Sequence, residues 1–401
     1  MLSVAEARER IVRALPLMPA ESVAVTAAAG RVLAEDVTSR RTQPPFDVSA
    51  MDGWACRQAD LATLPSFLKP IGEAAAGGRH EGVVGPGECV RIFTGAPLPE
   101  GADAIVIQED ADLQGDGRLK VREAPKPGQW IRRAGLDFAA GEVLLAAGRL
   151  LGPSDVALAA AMNVPWLAVR RKPRIAVLAT GDELVRPGEP IGPNQIVSSN
   201  NIGLAALIEA HGGTAVDLGI ARDTEADLRG KAAAATGCDL LLTLGGASVG
   251  EHDLIHKILG GGGAGIDFWR IAMRPGKPLM FGRATLESGS IPLLGLPGNP
   301  VSALVCGHNF LIPALRAMLG LDWQPQLETA VSGSDLAEND RREDYLRATL
   351  RQDEGRLVAT AFDRQDSSML RLLSDADCLI IRPPLAPALK AGDAVQILRL
   401  R

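Results

Sequence analysis

The middle of the chain repeats one pattern, in which a short apolar run leads into a glycine-rich loop and then into a stretch with helical spacing. The apolar runs cover residues 175–179, 240–244 and 291–296, the length of buried strands. Alternating strands and helices predict a mostly parallel sheet whose loops bind ligands at the carboxyl ends of the strands. The predicted fold class is therefore α/β, with this domain at the centre of the chain.

The two ends of the chain are patterned differently from its centre. Short β-branched runs between Gly and Pro turns predict a small β-rich domain, and these runs are 83–84, 90–93 and 104–107. Runs at 379–381 and 395–398 predict a second β-rich domain at the C-terminus. Residues 3–15 predict an amphipathic helix capped by Ser3. Because single cores usually stop growing at about 250 to 300 residues, we expect several domains.

Composition excludes several classes of protein. A net charge of −6 argues against broad binding to nucleic acid. The five cysteines are scattered and odd in number, which fits a reducing cytoplasm rather than a disulfide framework or zinc ribbon. Glu6, Glu9 and Arg10 interrupt any secretory apolar segment, and no apolar run has the length of a membrane span. We expect a cytoplasmic protein with no membrane or nucleic-acid partner.

Two loops near the N-terminus combine small residues with groups that bind ligands. The loop 44–55 contains Asp47 and Asp52 and has neither helical nor strand periodicity. In the loop 93–97, Thr94 lies beside Gly95, which places a hydroxyl next to an unshielded N–H group. On its own, the first loop is equally well explained as a turn whose carboxylates satisfy backbone donors, and the second is more often just a turn.

Two further loops follow the predicted central strands. Thr180, Gly181 and Glu183 follow the first strand, and Ser199 opens the next helix, so that carboxylates and a helix N-terminus would hold Mg²⁺ and a phosphate. Ser199 is also explained by helix capping alone, without any ligand. The run 245–253 follows the second strand and is not a P-loop, because no Gly-Lys-Ser/Thr follows its glycines. Its Gly245, Gly246 and Ser248 would cradle a phosphate while Asp253 binds a metal.

The spacing of His252 and His256 imitates a zinc protease motif, H-E-x-x-H. Asp253 replaces the usual glutamate, and no downstream ligand motif follows among only five histidines. The sequence therefore disfavours zinc catalysis at these histidines.

The last two segments are a basic turn and a rigid elbow. The turn 270–278 gathers Arg270, Arg274 and Lys277, which would trap an oxyanion, although a solvated basic turn explains it equally well. In the elbow 295–302, Pro300 suits the first turn of a helix and leaves Ser302 at its positive end.

In this order the six segments resemble the MoeA family of molybdopterin molybdenumtransferases, which includes the gephyrin E domain. The blocks that carry the resemblance are S-A-M-D-G, T-G-A, T-G-D-E-L, G-G-x-S-V-G, R-P-G-K-P and P-G-N-P-V-S, and they span essentially the whole chain. Each block is weak alone, whereas their ordered combination is specific. Two residues depart from the family pattern: Trp54 replaces a usual Tyr, and Arg274 replaces a frequent Lys.

The resemblance implies that the protein inserts molybdenum from molybdate into adenylylated molybdopterin, with Mg²⁺, and releases AMP. It implies catalytic roles for Asp52, Thr94, Asp137, Glu183, Asp223 and Asp253, with Glu183 and Asp253 as metal ligands. It implies substrate contacts from Thr180, Gly181, Ser199, Gly245, Gly246, Ser248, Pro297 and Pro300. It implies molybdate contacts from Arg270, Arg274, Lys277 and Ser302.

The family also implies an elongated homodimer whose site lies between subunits, with a molybdopterin adenylyltransferase and molybdoenzyme acceptors as further partners. The predicted domains are a discontinuous dimerisation domain (1–44 and 132–170), an inserted β-rich domain (45–131), a central molybdopterin-binding domain (171–320) and a C-terminal β-rich domain (321–401). Two other functions stay open on the sequence: a molybdopterin adenylyltransferase or nucleotide-ester hydrolase, and a non-catalytic scaffold that binds molybdopterin.

Overall fold

The computed structural model describes residues 1–245, 255, 258, 265–287 and 289–400. These residues contain three six-stranded sheets and four two-stranded pairings. The predicted site residues Gly246, Ser248 and Asp253, like the histidine pair His252 and His256, lie outside the described residues.

The first part of the chain begins with a helix and continues as short strands. Its elements are α1 (Val4–Ala14), β1 (Ala20–Ala24), β2 (Val37–Thr38), β3 (Val48–Ser49), β4 (Gly53–Cys56), β5 (Ser66–Ala74), β6 (Glu88–Ile92), β7 (Ala104–Ile107), β8 (Ala111–Leu113), β9 (Leu119–Val121) and β10 (Ile131–Arg132). Ser3 caps α1 and exchanges two hydrogen bonds with Glu6, as predicted. Strands β4 to β9 form one sheet in the order β7-β4-β6-β5-β9-β8.

One strand expected from the sequence is absent from this sheet. The run 83–84 lies in a loop, where the N–H of Val84 donates to the carbonyl of Glu100 at 2.8 Å. The side chain of Val84 is buried in the sheet's core. Val84 therefore serves core packing and not strand pairing, while Val83 is exposed.

After β10 the chain pairs with its own beginning. The elements here are β11 (Val143–Leu145), α2 (Pro153–Ala161) and β12 (Trp166–Arg170). Strand β11 pairs with β2, β12 pairs with β1, and β10 pairs with β3. Helix α1 and Met18 differ from the later part of residues 1–44, because Val4, Ala7, Ile11 and Met18 pack in the core of the central sheet.

The central region contains the predicted parallel sheet. Its elements are β13 (Arg174–Thr180), β14 (Leu184–Val185), β15 (Ile196–Val197), α3 (Asn200–Ala210), β16 (Thr214–Ala221), α4 (Glu225–Ala233), β17 (Leu240–Leu244), β18 (Ile266–Phe268), β19 (Met273–Arg274), β20 (Met280–Leu286) and β21 (Gly289–Leu296). In the sheet order β16-β13-β17-β21-β20-β18, the first four strands are parallel. Strands β20 and β18 complete the sheet by antiparallel pairing. The prediction of a mostly parallel sheet is confirmed.

A long apolar helix follows β21 and packs beneath this sheet. It consists of α5 (Pro300–Cys306), a π-helical turn at Gly307–Leu311 and α6 (Ile312–Met318), so the irregularity lies directly before Pro313. Among the described residues this is the one helix long and apolar enough to cross a bilayer. Since 72% of its most apolar window is buried inside the protein and its side chains join the central core, its composition is that of a core helix.

The C-terminal region is a β-rich unit, as predicted. Its elements are β22 (Leu327–Ser332), β23 (Glu343–Asp353), β24 (Arg356–Ala361), α7 (Leu370–Ser374), β25 (Cys378–Arg382) and β26 (Ala394–Arg399). Strands β23, β24, β22, β26 and β25 close into a ring, because β25 also pairs with β23. Strand β19 pairs with β23 and so attaches the basic turn of the central region to this unit.

Candidate functional site

A cleft of about 550 Å³ opens where the carboxyl ends of β13, β17 and β21 meet. Parallel strands place these ends at one edge of the sheet, so loops that are far apart in the sequence converge there. The cleft collects eight of the residues predicted from the sequence: Thr180, Gly181, Glu183, Ser199, Asp223, Gly245, Pro297 and Pro300. The predicted convergence of the central loops is therefore observed.

The floor of the cleft is built from backbone hydrogen bonds between adjacent loops. The N–H of Gly181 donates to the carbonyl of Ala221 at 3.1 Å, and the hydroxyl of Thr180 donates to the carbonyl of Leu244 at 3.3 Å. Gly245 has φ of +90°, and a Cβ atom there would lie 2.8 Å from the Thr180 carbonyl oxygen. Only glycine fits this position without moving the neighbouring loop.

The elbow after β21 forms one wall of the cleft. The side-chain amide of Asn200 donates to the carbonyl of Gly298 at 2.7 Å and so ties the start of α3 to the elbow. The amide of Asn299 donates to the hydroxyl of Ser367 at 2.9 Å. Pro300 is the first residue of α5, as predicted. Sequence reasoning missed the bond from Ser367 to this elbow, because Ser367 belongs to a loop of the C-terminal region with no distinctive pattern.

Three carboxylates lie on the loops at the mouth of the cleft. Glu183 and Asp223 line the cleft, and the N–H of Asp223 donates to Asp182 at 3.2 Å. All three side chains are exposed. Across the described ranges, no group of three or more His, Cys, Asp or Glu residues is arranged to hold a metal. A metal ligand set here therefore needs water, substrate oxygens or residues outside those ranges.

The predicted molybdate residues do not form one cluster. Lys277 is exposed beside Pro278, which lines the cleft, while Ser302 is buried in the first turn of α5. Arg270 is exposed and its guanidinium lies 5.5 Å from the centre of the Trp269 ring. Arg274 points to the C-terminal region, where it donates to Asp344 and Asp340.

Arg274 is therefore not a free cation in this structure. Its Nε lies 2.5 Å from Asp344 Oδ1, and its Nη1 lies 3.1 Å from Asp340 Oδ2. The bonds to Asp344 raise the pKa of the guanidinium. The sequence did not reveal these partners, because they depend on the pairing of β19 with β23 across 70 residues.

Asp52 and Thr94 meet in the β-rich sheet near the N-terminus. Asp52 directly precedes β4 and Thr94 closely follows β6, and these antiparallel strands bring the two residues together. The N–H and the hydroxyl of Thr94 donate to the same Asp52 oxygen, at 2.7 and 2.8 Å. These two bonds, with a smaller contribution from Arg91, lower the pKa of Asp52. Asp52 is consequently a partly exposed carboxylate held in its ionised form.

Arg91 extends this cluster through aromatic rings. Its guanidinium lies 5.2 Å from the ring centres of both Trp54 and Phe93, within the range of cation–π attraction. Trp54, the departure from the family pattern, thus supports a cation beside Asp52. Asp47 has a different role, because it accepts from the N–H of Ala134 at 2.9 Å and pairs with Arg133.

Asp137 lies in a second cleft, of about 750 Å³, which also contains Phe46 and Gly95. Its N–H donates to the carbonyl of Gln43 at 3.0 Å. Asp137 is therefore near the loop of Thr94, but neither described cleft contains Asp137 together with Glu183. The predicted catalytic residues that the structure describes form two groups within one chain, Glu183 and Asp223 in the first cleft, and Asp52, Thr94 and Asp137 on or near the loops of the second.

Comparison with known families accounts for nearly the whole chain. Residues 2–163 match the MoeA N-terminal region (domain I and II), residues 176–317 match the probable molybdopterin binding domain, and residues 329–400 match the MoeA C-terminal region (domain IV). The three matches follow one another in the order that the six sequence blocks predicted.

Individual relatives agree with the family models. The molybdopterin molybdenumtransferase of a Nostoc species is 36% identical over 95% of this chain and 88% of its own length. That of Haemophilus influenzae is 35% identical over 99% of this chain and 98% of its own. The crystal structure of the molybdopterin biosynthesis MoeA protein of Pyrococcus horikoshii superposes with a TM-score of 0.85 at 30% identity, covering 100% of this chain and 99% of that one. The chain belongs to the molybdopterin molybdenumtransferase (MoeA) family.

Proposed function

We propose that this enzyme transfers molybdenum from molybdate to adenylylated molybdopterin and releases AMP. The observation that carries the proposal is the cleft at the strand ends, which joins carboxylates, glycine loops and helix starts in one place. The names of the relatives favour a transferase over the alternatives of an adenylyltransferase, a nucleotide-ester hydrolase or a scaffold.

The cleft suits a large anionic substrate. Ser199 and Pro300 lie at the N-termini of α3 and α5, where the helix dipole favours phosphate. At the start of α5 the N–H of Val301 is already paired with the carbonyl of Ser367 at 3.1 Å. Thr180, Gly181 and Gly245 offer backbone groups with little side-chain obstruction. Together with Pro297, and with Gly246 and Ser248 from the following loop, these residues form the proposed substrate site.

Mg²⁺ is the metal we assign to this site. Mg²⁺ is usually bound by one or two carboxylates together with waters and substrate phosphates. Glu183 fits this requirement, since its exposed carboxylate lines the cleft, and Asp223 lies beside it. We assign Glu183 and Asp253 as ligands, and the bound ion would neutralise negative charge that develops on the departing AMP.

Molybdate is the co-substrate, and the basic turn is its proposed site. Arg270 and Lys277 are exposed cations of this turn, and Lys277 directly precedes Pro278, which lines the cleft. Ser302 lies in the first turn of α5. A tetrahedral dianion that leaves water for a protein site needs charged donors, because hydrogen bonds from Arg and Lys to anions are the strong ones. Arg274 belongs to the same turn, although Asp344 currently occupies its donor edge.

We also propose that the active enzyme is a homodimer. Asp52, Thr94 and Asp137 are separated from the Glu183 cleft within one chain, so a second copy would bring them to it. The pairings of β1 with β12 and β2 with β11 would build the dimerisation domain. In this proposal the enzyme works in the cytoplasm, takes its substrate from a molybdopterin adenylyltransferase and delivers the product to molybdoenzymes.

The test is AMP release from adenylylated molybdopterin by the purified protein with Mg²⁺, with and without molybdate. We expect molybdate to stimulate release and Asp253→Ala to abolish it. Release that is indifferent to molybdate would identify a nucleotide hydrolase, and no release at all would identify a binding protein.

A further inference from the structure

Two arginines flank one buried carboxylate at the junction of the central and C-terminal regions. Arg274 on β19 is the register partner of Asp344 on β23, and Asp344 is in turn the register partner of Arg382 on β25. Directly opposed residues on paired strands have their Cβ atoms about 4.5–5.5 Å apart on one face. The backbone therefore aligns the three side chains in one row.

Asp344 bonds to only one of its two arginine neighbours. Both of its oxygens accept from Arg274, through Nε at 2.5 Å and through Nη2. Arg274 makes two weaker contacts, from Nη1 to Asp340 at 3.1 Å and from Nη2 to Asn339 at 3.2 Å. Asp340 is exposed and is also shared with Arg342 at 2.8 Å. The buried Asp344 is thus the main anchor of Arg274.

Arg382 is left incompletely paired. The side chain is 3% exposed, and its Nη2 donates to backbone carbonyls, including that of Ala337 at 3.2 Å. Its Nε and Nη1 are enclosed and have no hydrogen-bond partner. Burial lowers the pKa of Arg382, and Asp344 opposes this effect. Enclosed donors of a charged group are costly to leave unpaired, so Arg382 would gain from an arrangement in which Asp344 bonds to it.

We propose that the Asp344 carboxylate alternates between Arg274 and Arg382, and that Arg382, by taking the carboxylate, makes Arg274 available to a tetrahedral oxyanion. All three side chains line one cavity of about 420 Å³, which gives the carboxylate room to move. The inference rests on the proposed role of Arg274 in binding molybdate.

The released arginine would present a well-formed oxyanion site. Loss of Asp344 frees Nε of Arg274 and leaves Nη2 with only its longer contact to Asn339. Nε and Nη2 are parallel donors that match the spacing of oxyanion oxygens. The row itself holds two guanidinium groups and one buried carboxylate, while Asp340 also contacts Arg274 and Glu338 lines the same cavity. Arg382 acts through Asp344 and is therefore a positioning residue.

The experiment is titration calorimetry of molybdate, and of sulfate as a second tetrahedral oxyanion, into the purified full-length protein. Arg382→Gln keeps Asp344 on Arg274, and we expect the Kd for both anions to rise about tenfold. Asp344→Asn releases Arg274, and we expect Kd to fall severalfold. Arg399→Gln on β26, which removes an exposed pair with Glu328 in the same sheet, is the matched control and should leave Kd unchanged.

A higher Kd in Arg382→Gln together with a lower Kd in Asp344→Asn would distinguish this proposal from a purely structural role of the two residues. If both variants weaken binding equally, if neither changes it, or if the wild-type protein binds neither anion, the proposal is wrong. AMP release by the wild-type enzyme is measured separately, with and without molybdate. Loss of molybdate dependence there would refute the proposed function, whereas unchanged Kd values in the variants would refute only the role of Arg382.

Discussion

The two groups of predicted catalytic residues are organised in different ways. Around Glu183 the backbone sets most of the arrangement, because parallel strand ends and glycine loops fix the positions of the groups that line the cleft. Around Asp52 side chains contribute more, since the Thr94 hydroxyl shares the carboxylate with one backbone N–H and Arg91 lies near two aromatic rings.

This difference indicates a division of labour. A site fixed by backbone bonds is rigid and suits the binding of substrate and metal. A partly exposed carboxylate held by one hydroxyl and one N–H group is suited to meet a surface that belongs to another molecule. Substitutions in the loops around Glu183 should therefore rarely be tolerated. Substitutions around Asp52 should lower activity without lowering the stability of the fold.

The largest effect is expected in the backbone-organised cleft. Glu183→Gln keeps the size of the side chain and removes its charge, so it should lower AMP release about 100-fold, because a metal's charge stabilisation is worth several kcal/mol. Glu189→Gln is the control, since Glu189 lies in the same segment but does not line the cleft. Equal activity of the two variants would show that Glu183 is only a surface residue.

A fall in pH should destabilise the long helix that follows β21 but should leave the charge of Asp52 unchanged. Burial, with His211 nearby, lowers the pKa of His308 in the π-helical turn to about 4, from 6.5. The unfolded state binds the proton more readily, so stability is complete above about pH 6.5 and is lost as the pH falls toward 4. Between pH 7 and 5 the loss should be about 2 kcal/mol. Asp52, whose pKa is lowered, should keep its charge over the same range.

Hydrogen exchange of residues 300–318, corrected for the intrinsic rate at each pH, measures this loss as an opening free energy. His308→Gln should remove most of the difference between pH 7 and pH 5. A variant that retains the full difference would assign the acid sensitivity to another group.

The smallest effect is expected in the group organised by side chains. Thr94→Val removes one of the two donors to Asp52 and leaves the N–H in place, so AMP release should fall about tenfold. The melting temperature should not change, because Thr94 and its bond to Asp52 are exposed. A fall in melting temperature that accounts for the lost activity would remove the contrast between the two regions.

The sequence predicted the cleft because its signal is local. Each central loop follows an apolar run, and the rule that parallel strands end at one edge brings Glu183, Gly245 and Pro300 together without knowledge of long-range pairing. The pairing of Arg274 with Asp344 depends instead on β19 joining the C-terminal sheet, which no local pattern shows. Helix α1 is a similar case, because its apolar face fits any core and the structure places it against the central one.

The central claim is that the two groups are halves of one site formed by two subunits. Asp52→Asn and Glu183→Gln subunits with different tags are expressed together, and the mixed dimer is purified. One of its two sites then carries both substitutions and the other carries none, so AMP release should reach roughly half of the wild-type rate. Activity no higher than that of either single variant would contradict the claim, because it would place both groups in the site of one subunit.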